Sequence, residues 1–462
     1  LFFSLWGLIV FDKNSQMIDV KKNFRSRLNV NTAELVSIRK NYTTNDKFEY
    51  FYNILLSLPK DVFYKIWETP ESFLWSKIMW CSLFDKNSEF LTNYIDWLKL
   101  DKKTFEKKLT NDLGIFALSS LIIQNKGSIN LKHPIEIKGN GLFPGTRYGW
   151  SSKYTIKILG MKDRCLVIEN SKSIPIKNIK HANSINSEEV FFIINSNFNE
   201  NIHIDLHSEC ARMDFEGMEW IKRLNNENQI LNFNKTLTKS LKILNNYSPE
   251  YYKEFELIIK KIVPLEKIST AVPSSSNSVI LGTIFLTYTN EPYLLTEMLI
   301  HELSHNKLFL LQEVDSLIDQ KIHGDGWNDS KFYSPWRSDK RPINGLFHGA
   351  FVFTEVTKFW YSIVTKYKRK NYNNIAFKRF FLLSEQLKIA SQTLSDQCNF
   401  TKKGVLIKKY IDRNINLFSS YYTKSDLLST KAFFSELDFD SDLIGMNVYE
   451  SVNKHKKKWN IT

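Results

Sequence analysis

Between residues 17 and 130 apolar positions recur at helical spacing among charged ones, with few Gly or Pro, as in "KFEYFYNILLSLPKDVFYKIW" and "TNDLGIFALSSLIIQ". That period predicts several amphipathic helices. From about 131 to 207 the texture changes. "TIKILGMKDRCLVIE" and "EVFFIINSNFNENIHIDLH" are β-branched and alternating, and "GNGLFPG" and "NSKSIPIKN" punctuate them as turns. Helical periodicity returns over 214–262 and is broken by "AVPSSSNS" (271–278), after which "VILGTIFLTY" reads as a strand. From Pro292 onward the chain reads as helix, with one long loop at about 320–344. The expected class is α+β, predominantly helical: a helical N-terminal region (1–130), a β-rich segment (131–210) and a mainly helical C-terminal region (211–462).

One segment stands out, "LLTEMLIHELSHNKLFLL" (294–311). Thr289 or Asn290 offers an N-cap, and Glu291 and Pro292 suit a first turn. Tyr293 to Leu311 contains no Gly or Pro, and apolar residues occupy nearly every side, so a buried helix is expected. Within it His301, Glu302 and His305 form HExxH. Two His four apart share one helix face and can each give a nitrogen to one metal ion. Two core histidines would be the bland alternative, but both rings would then need polar partners inside a very apolar environment.

An HExxH helix first suggests a zinc peptidase with Glu302 as general base. The continuation HExxHxxGxxH is absent, since Asn306, Lys307, Leu308 and Phe309 follow His305. A third ligand has to come from elsewhere. His348, in "GLFHGAFVFTE", and Glu355, seven residues on, share a face of the helix expected after Gly345. His323 sits in a loop and reads as solvent-exposed. His203, Asp205 and His207 in "HIDLH" would lie on one side of a strand, a second and weaker place for iron. Between His305 and His348, "FYSPWRSDKRPINGLFHGAFVF" holds Tyr333, Pro335, Trp336, Arg337, Asp339, Arg341 and Pro342. Two arginines so close to a ligand suggest a carboxylate held by a bidentate fork; a solvated loop is the alternative.

Composition narrows the setting. The chain has 462 residues, 43% apolar and 14% aromatic, enough for a packed core. Cys81, Cys165, Cys210 and Cys398 show no CxxC pairing, which argues against a disulfide framework and fits a reducing cytoplasm. The formal charge of +14 comes without any nucleic-acid-binding signature, so no nucleic-acid partner is expected, although a basic surface would attract an acidic peptide. "LFFSLWGLIVF" at the start is too short to span a bilayer and lacks a signal peptide's basic flank, so no membrane association is expected. Residues 1–16 read either as lying outside a native start at Met17 or as a short helix packed on the body.

The combination of a long HExxH helix (His301, Glu302, His305) with Pro335-Trp336-Arg337, Asp339, Arg341-Pro342, Gly345 and His348-Gly349 leading into an aromatic helix resembles the HExxH-motif enzymes of ribosomal peptide natural-product clusters. The match spans roughly 292–360, with a looser fit over 271–289. Where that family tends to carry an acidic stretch near "HIDLHSE", this chain has His203 and His207. The resemblance implies a 2-oxoglutarate-dependent dioxygenase that uses Fe(II) and O2 to hydroxylate β-carbons of a ribosomally made precursor peptide. It implies His301, His305 and His348 as metal ligands, with Glu355 an alternative third. Arg337 or Arg341 would hold the far carboxylate of 2-oxoglutarate, and Glu302 would orient a ligand or the substrate. The alternative function is an HExxH zinc metallopeptidase, for example one cleaving a leader peptide.

Overall fold

The computed structural model describes residues 46–458, apart from 86, 125–127, 147–148, 163–164, 170–172, 176–201, 206–208, 213–222, 225, 267–273, 314, 320–330, 338–339, 367–374 and 432–445. The expectations for residues 1–16, His207, His323 and Asp339 lie outside the described residues.

Among the described residues the N-terminal part holds five helices: α1 (Asp46–Leu56), α2 (Lys60–Trp67), α3 (Pro70–Phe84), α4 (Glu89–Leu98) and α5 (Lys102–Ile123). The sequence spacing explains the packing. In α1, Phe48, Phe51, Tyr52 and Leu55 fall on one stripe and are the buried residues. Helix α5 starts at Asp101, whose carboxylate accepts from the Thr104 backbone N–H. An antiparallel hairpin of β1 (Ser128–Leu142) and β2 (Gly149–Lys162) follows, extended by β3 (Cys165–Ile168) and β4 (Ser173–Pro175) in the order β1-β2-β3-β4. The Asn111 amide of α5 pins the hairpin, donating to the Glu136 carbonyl at 2.6 Å and accepting from its N–H at 2.8 Å.

A second sheet, β5-β6-β8-β7, forms the middle of the molecule. It joins β5 (His203–Ile204), β6 (Lys261–Leu265), β8 (Thr283–Thr287) and β7 (Ser274–Ser276); β5, β6 and β8 run parallel and β7 antiparallel. Every residue of β6 and β8 is buried, as strands covered on both faces must be. Val263, Leu265 and Phe285 join the core of the N-terminal helices, whereas Ile262, Ile284 and Leu286 join the C-terminal core. The period of two thus splits one sheet between two cores.

On the C-terminal side lie α7 (Glu227–Tyr247), α8 (Pro249–Ile258), α9 (Pro292–Gln312), α10 (Ile343–Lys366), α11 (Ile375–Gln397), α12 (Lys402–Ser419), α13 (Lys424–Ser429) and α14 (Val448–Lys458), after a short α6 (Glu209–Arg212). The predominantly helical α+β class is therefore observed. The strands of the segment expected to be β-rich (131–210) belong to two sheets, because β1–β4 form their own sheet while β5 joins strands from beyond residue 260. The strand expected over 279–288 begins only at Thr283, after a 3-10 turn at Ser278–Ile280. Gly282, with φ of 86°, makes that turn; a Cβ there would meet the Ile258 carbonyl at 2.8 Å. Among the described residues no helix is long and apolar enough to cross a membrane.

Candidate metal centre

Helix α9 carries the HExxH residues as expected, although its N-cap is Glu291; Thr289 instead accepts from the Glu291 N–H. Pro292 occupies the first turn, where its missing N–H costs nothing. From Leu295 to Leu311 every residue is buried except His301, His305 and Phe309, which are half-buried. Those three sit at i, i+4 and i+8, so the only partly open stripe of a buried helix is the one bearing both histidines.

The Nε2 atoms of His301 and His305 face each other at 3.2 Å, with ring centres 4.9 Å apart. His348 projects from the first turns of α10, its ring centre 6.0 Å from His305 and 5.9 Å from Phe309. Its Nε2 is buried without a hydrogen-bond partner among the described residues. Burial pushes the pKa of His301 and His348 down to about 4. His305 is driven well below its ordinary range by burial first, then by His301, His348 and Arg341. All three rings are thus neutral near pH 7, the form that donates a lone pair to a metal.

The site can be tested against a divalent metal ion on these atoms. Two imidazole nitrogens each about 2.1 Å from one ion stand about 3 Å apart when the angle between them is near a right angle. The His301–His305 pair meets that spacing, and the orphaned Nε2 of His348 supplies a third donor one ring further out. Among the described residues no group of three or more His, Cys, Asp or Glu side chains is already gathered into a complete metal cage. The His301–His305 pair fits the spacing of two donors to one metal ion, while His348 stands further out.

Glu355 does not compete for that role. Its Oε2 accepts from Lys307 Nζ at 2.7 Å and its Oε1 from the Tyr410 hydroxyl, and Lys307 also pairs with Glu254 at 2.9 Å. Burial alone would raise its pKa, but Lys307, Lys358 and these hydrogen bonds outweigh burial and hold it at about 2. At the second place suggested for iron, Asp205, fully buried, accepts from Lys261 Nζ at 2.9 Å, and His203–Ile204 is strand among the described residues.

Two arginines were candidates for an anion. Arg337 is exposed, while Arg341 is half-buried and close enough for its charge to lower the His305 pKa. Arg341 exchanges both backbone hydrogen bonds with Phe332, at 2.7 and 2.9 Å, which closes residues 332–341 into a loop. That loop is held from outside: the Gln386 amide of α11 donates to the Pro335 carbonyl at 2.8 Å, and Tyr333 hydrogen-bonds His455 of α14. From inside it is held by Trp336, stacked on Phe353 at 4.6 Å, and Phe353 lies edge-on to His301 at 5.2 Å. Gly349 makes room for the indole, since a Cβ there would meet its ring carbons at 3.0 and 3.1 Å. Gly345 lies inside the first turn of α10, which begins earlier than expected, at Ile343.

Glu302 is fully buried and turned toward β7. Burial raises its pKa to about 7, against the lowering effect of the Ser274 and Ser276 hydroxyls. Neither carboxyl oxygen has a hydrogen-bond partner of normal geometry among the described residues. Other residues that build the site escape a sequence reading. Glu297, one turn before His301, takes a fork from Arg379 Nε and Nη2 and a hydrogen bond from Trp360 Nε1 at 2.7 Å. Phe309 was within reach as the next position on the histidine stripe; Arg379, Gln386 and His455 left no local signal. Compared with known proteins, the chain matches no family model and no curated protein sequence.

Proposed function

We propose that the chain is an Fe(II)- and 2-oxoglutarate-dependent dioxygenase that hydroxylates β-carbons of a ribosomally synthesised precursor peptide in the cytoplasm. The observation that carries the reading is the neutral His301–His305 pair at 3.2 Å, with the orphaned Nε2 of His348 beside it and Arg341 within electrostatic reach. Iron bound by His301, His305 and His348 would supply oxidative decarboxylation of 2-oxoglutarate coupled to oxygen insertion into a C–H bond.

The chain's own residues do the rest. Arg341 offers its guanidinium to the carboxylate of 2-oxoglutarate that faces away from the histidines. Trp336 and Phe353 wall the His301 side with apolar surface and keep water from the reacting carbon. Phe309 does the same beside His305 and His348. Glu297, clamped by Arg379 and Trp360, fixes the turn of α9 beneath His301.

One observation favours a second reading, a zinc peptidase: Glu302 is a carboxyl group with its pKa near 7, a value suited to moving a proton. The test is succinate release by anaerobically purified protein given Fe(II), 2-oxoglutarate, O2 and a candidate peptide. Succinate from wild type, its loss in His348→Ala, and a ten- to hundredfold rise (roughly) in KM for 2-oxoglutarate in Arg341→Ala would support the dioxygenase. No succinate, together with zinc-dependent peptide cleavage that Glu302→Gln abolishes, would establish the peptidase instead.

A further inference from the structure

In the central sheet the last strand, β7 (Ser274–Ser276), pairs with β8 on one side, and among the described residues no strand lies on its other side. The register shows which main-chain groups face that open edge. The Tyr288 N–H donates to the Leu265 carbonyl at 2.9 Å and the Gly282 carbonyl accepts from the Lys261 N–H at 3.0 Å, so the even-numbered residues of β8 are turned to β6. Phe285 is therefore turned to β7, where its partner is Ser275. The N–H and C=O groups of Ser274 and Ser276 point out of the sheet, and among the described residues they make no backbone hydrogen bond beyond it. All of β7 is only half-buried, whereas β6 and β8 are buried throughout. Such a row of unpaired donors and acceptors is a template for one more strand.

That edge runs beside the histidines of α9. Ser274 and Ser276 oppose Leu286 and Ile284, which belong to the C-terminal core, so their side chains stand on the α9 face of the sheet. A helix turns about 100° per residue, which puts Glu302 next to the His301–His305 line and Asn306 about 40° beyond Glu302. Asn306 accepts from the Gly282 N–H in the turn before β8, and Glu302 faces the Ser274 and Ser276 hydroxyls of β7. The order around the helix thus follows the order of the strands, and the next step brings His301 and His305 over the space beyond β7. A strand added there lies about 4.8 Å from β7, with every second side chain on the histidine side.

We infer that the free edge of β7 holds the peptide substrate as an added β-strand, its main chain bonded to Ser274 and Ser276 and its alternate side chains presented to His301 and His305. Main-chain hydrogen bonds supply the hold and leave the side chains free to react. The inference rests on the proposed function only in taking a peptide as the substrate.

Hydrogen exchange on the full chain, read at single amides, is the first check: Ser274 and Ser276 exchange fast and Ser275 slowly. Random dodecapeptides displayed on phage are then selected on the wild type and depleted on Ser276→Pro. That substitution removes an N–H the sheet does not use, as edge strands tolerate. Peptides survive the depletion, bind Ser276→Pro about tenfold or more weakly, as the loss of one or two main-chain hydrogen bonds requires, and slow exchange at both Ser274 and Ser276. Ser276→Ala, which keeps the N–H, binds them like the wild type. Should Ser276→Pro fail to fold, Ser274→Pro takes its place. Slow exchange at Ser274 and Ser276 in the free chain, no peptide surviving depletion, or survivors that leave both amides fast would each overturn the inference. Surviving peptides without succinate release would keep the strand and sink the dioxygenase; peptide-dependent succinate release unchanged in Ser276→Pro would do the opposite.

Discussion

Gly349 shows how one missing methyl group shapes the candidate metal centre. Helix interiors favour Ala over Gly by about 1 kcal/mol, yet here the Cβ would sit 3.0 Å from a ring carbon of Trp336. The two effects oppose each other, so Gly349→Ala leaves stability near the wild-type value. Gly349→Val adds a branch that the stacked indole cannot avoid, and overpacking of this kind costs about 1–3 kcal/mol. Thermal denaturation of the pair checks this; equal Tm values for Val and Ala would mean that Trp336 does not rest on the glycine. The neutral histidines belong to the same scale. Burial, not a neighbouring charge, is the main reason each resists protonation.

Helix α9 is held to α10, α8 and α12 by one buried charge cluster. Lys307 pairs with Glu355 of α10 and Glu254 of α8, and Tyr410 of α12 donates to Glu355. Lys307 lies two residues after His305, and Glu355 two helical turns after His348, so the cluster sets the register of the two histidine-bearing helices. Removing one partner of a buried pair typically costs about 3–5 kcal/mol. Glu254 still faces Lys307 in Glu355→Gln, so its cost belongs at the lower end, measured by denaturant unfolding near neutral pH. The pH dependence has a definite sign. Glu355 has its pKa lowered from 4.5 to about 2, so its contribution is complete above pH 4.5 and fades as the pH falls toward 2. Over that window the stability gap between wild type and Glu355→Gln narrows; a gap unchanged by acid would show that the pair contributes nothing through its charge.

The whole molecule depends on the central sheet. Val263, Leu265 and Phe285 serve the N-terminal core, and Ile262, Ile284 and Leu286 serve the core that carries the three histidines. Asn306 extends the link, donating to the Glu302 carbonyl and accepting from the Gly282 N–H, which ties α9 to the turn before β8. Neither core can loosen without exposing one face of strands that are buried on both. Phe285→Ala, on the face away from the histidines, costs about 3–5 kcal/mol and lowers a single unfolding transition shared by both halves. Two separate transitions, with the C-terminal half unchanged, would contradict a shared core.

Much of this was legible in the chain because it is local. The uninterrupted run from Tyr293 to Leu311 specifies a buried helix by composition alone, and a spacing of four places His301 and His305 together on any such helix. The predominantly helical α+β class follows from periodicity in the same way. For a third donor the sequence offered both His348 and Glu355, and packing treats the two differently. Both project from α10, but Lys307 and Tyr410 claim the carboxylate, while the imidazole Nε2 has no hydrogen-bond partner among the described residues. Packing likewise distinguished half-buried Arg341 from exposed Arg337 and gave Asp205 to Lys261. It also gathered β5, β6, β7 and β8 from distant stretches into one sheet. Short-range spacing is written into neighbouring residues, whereas which buried charge meets which partner depends on contacts across dozens of residues that only the folded chain brings together.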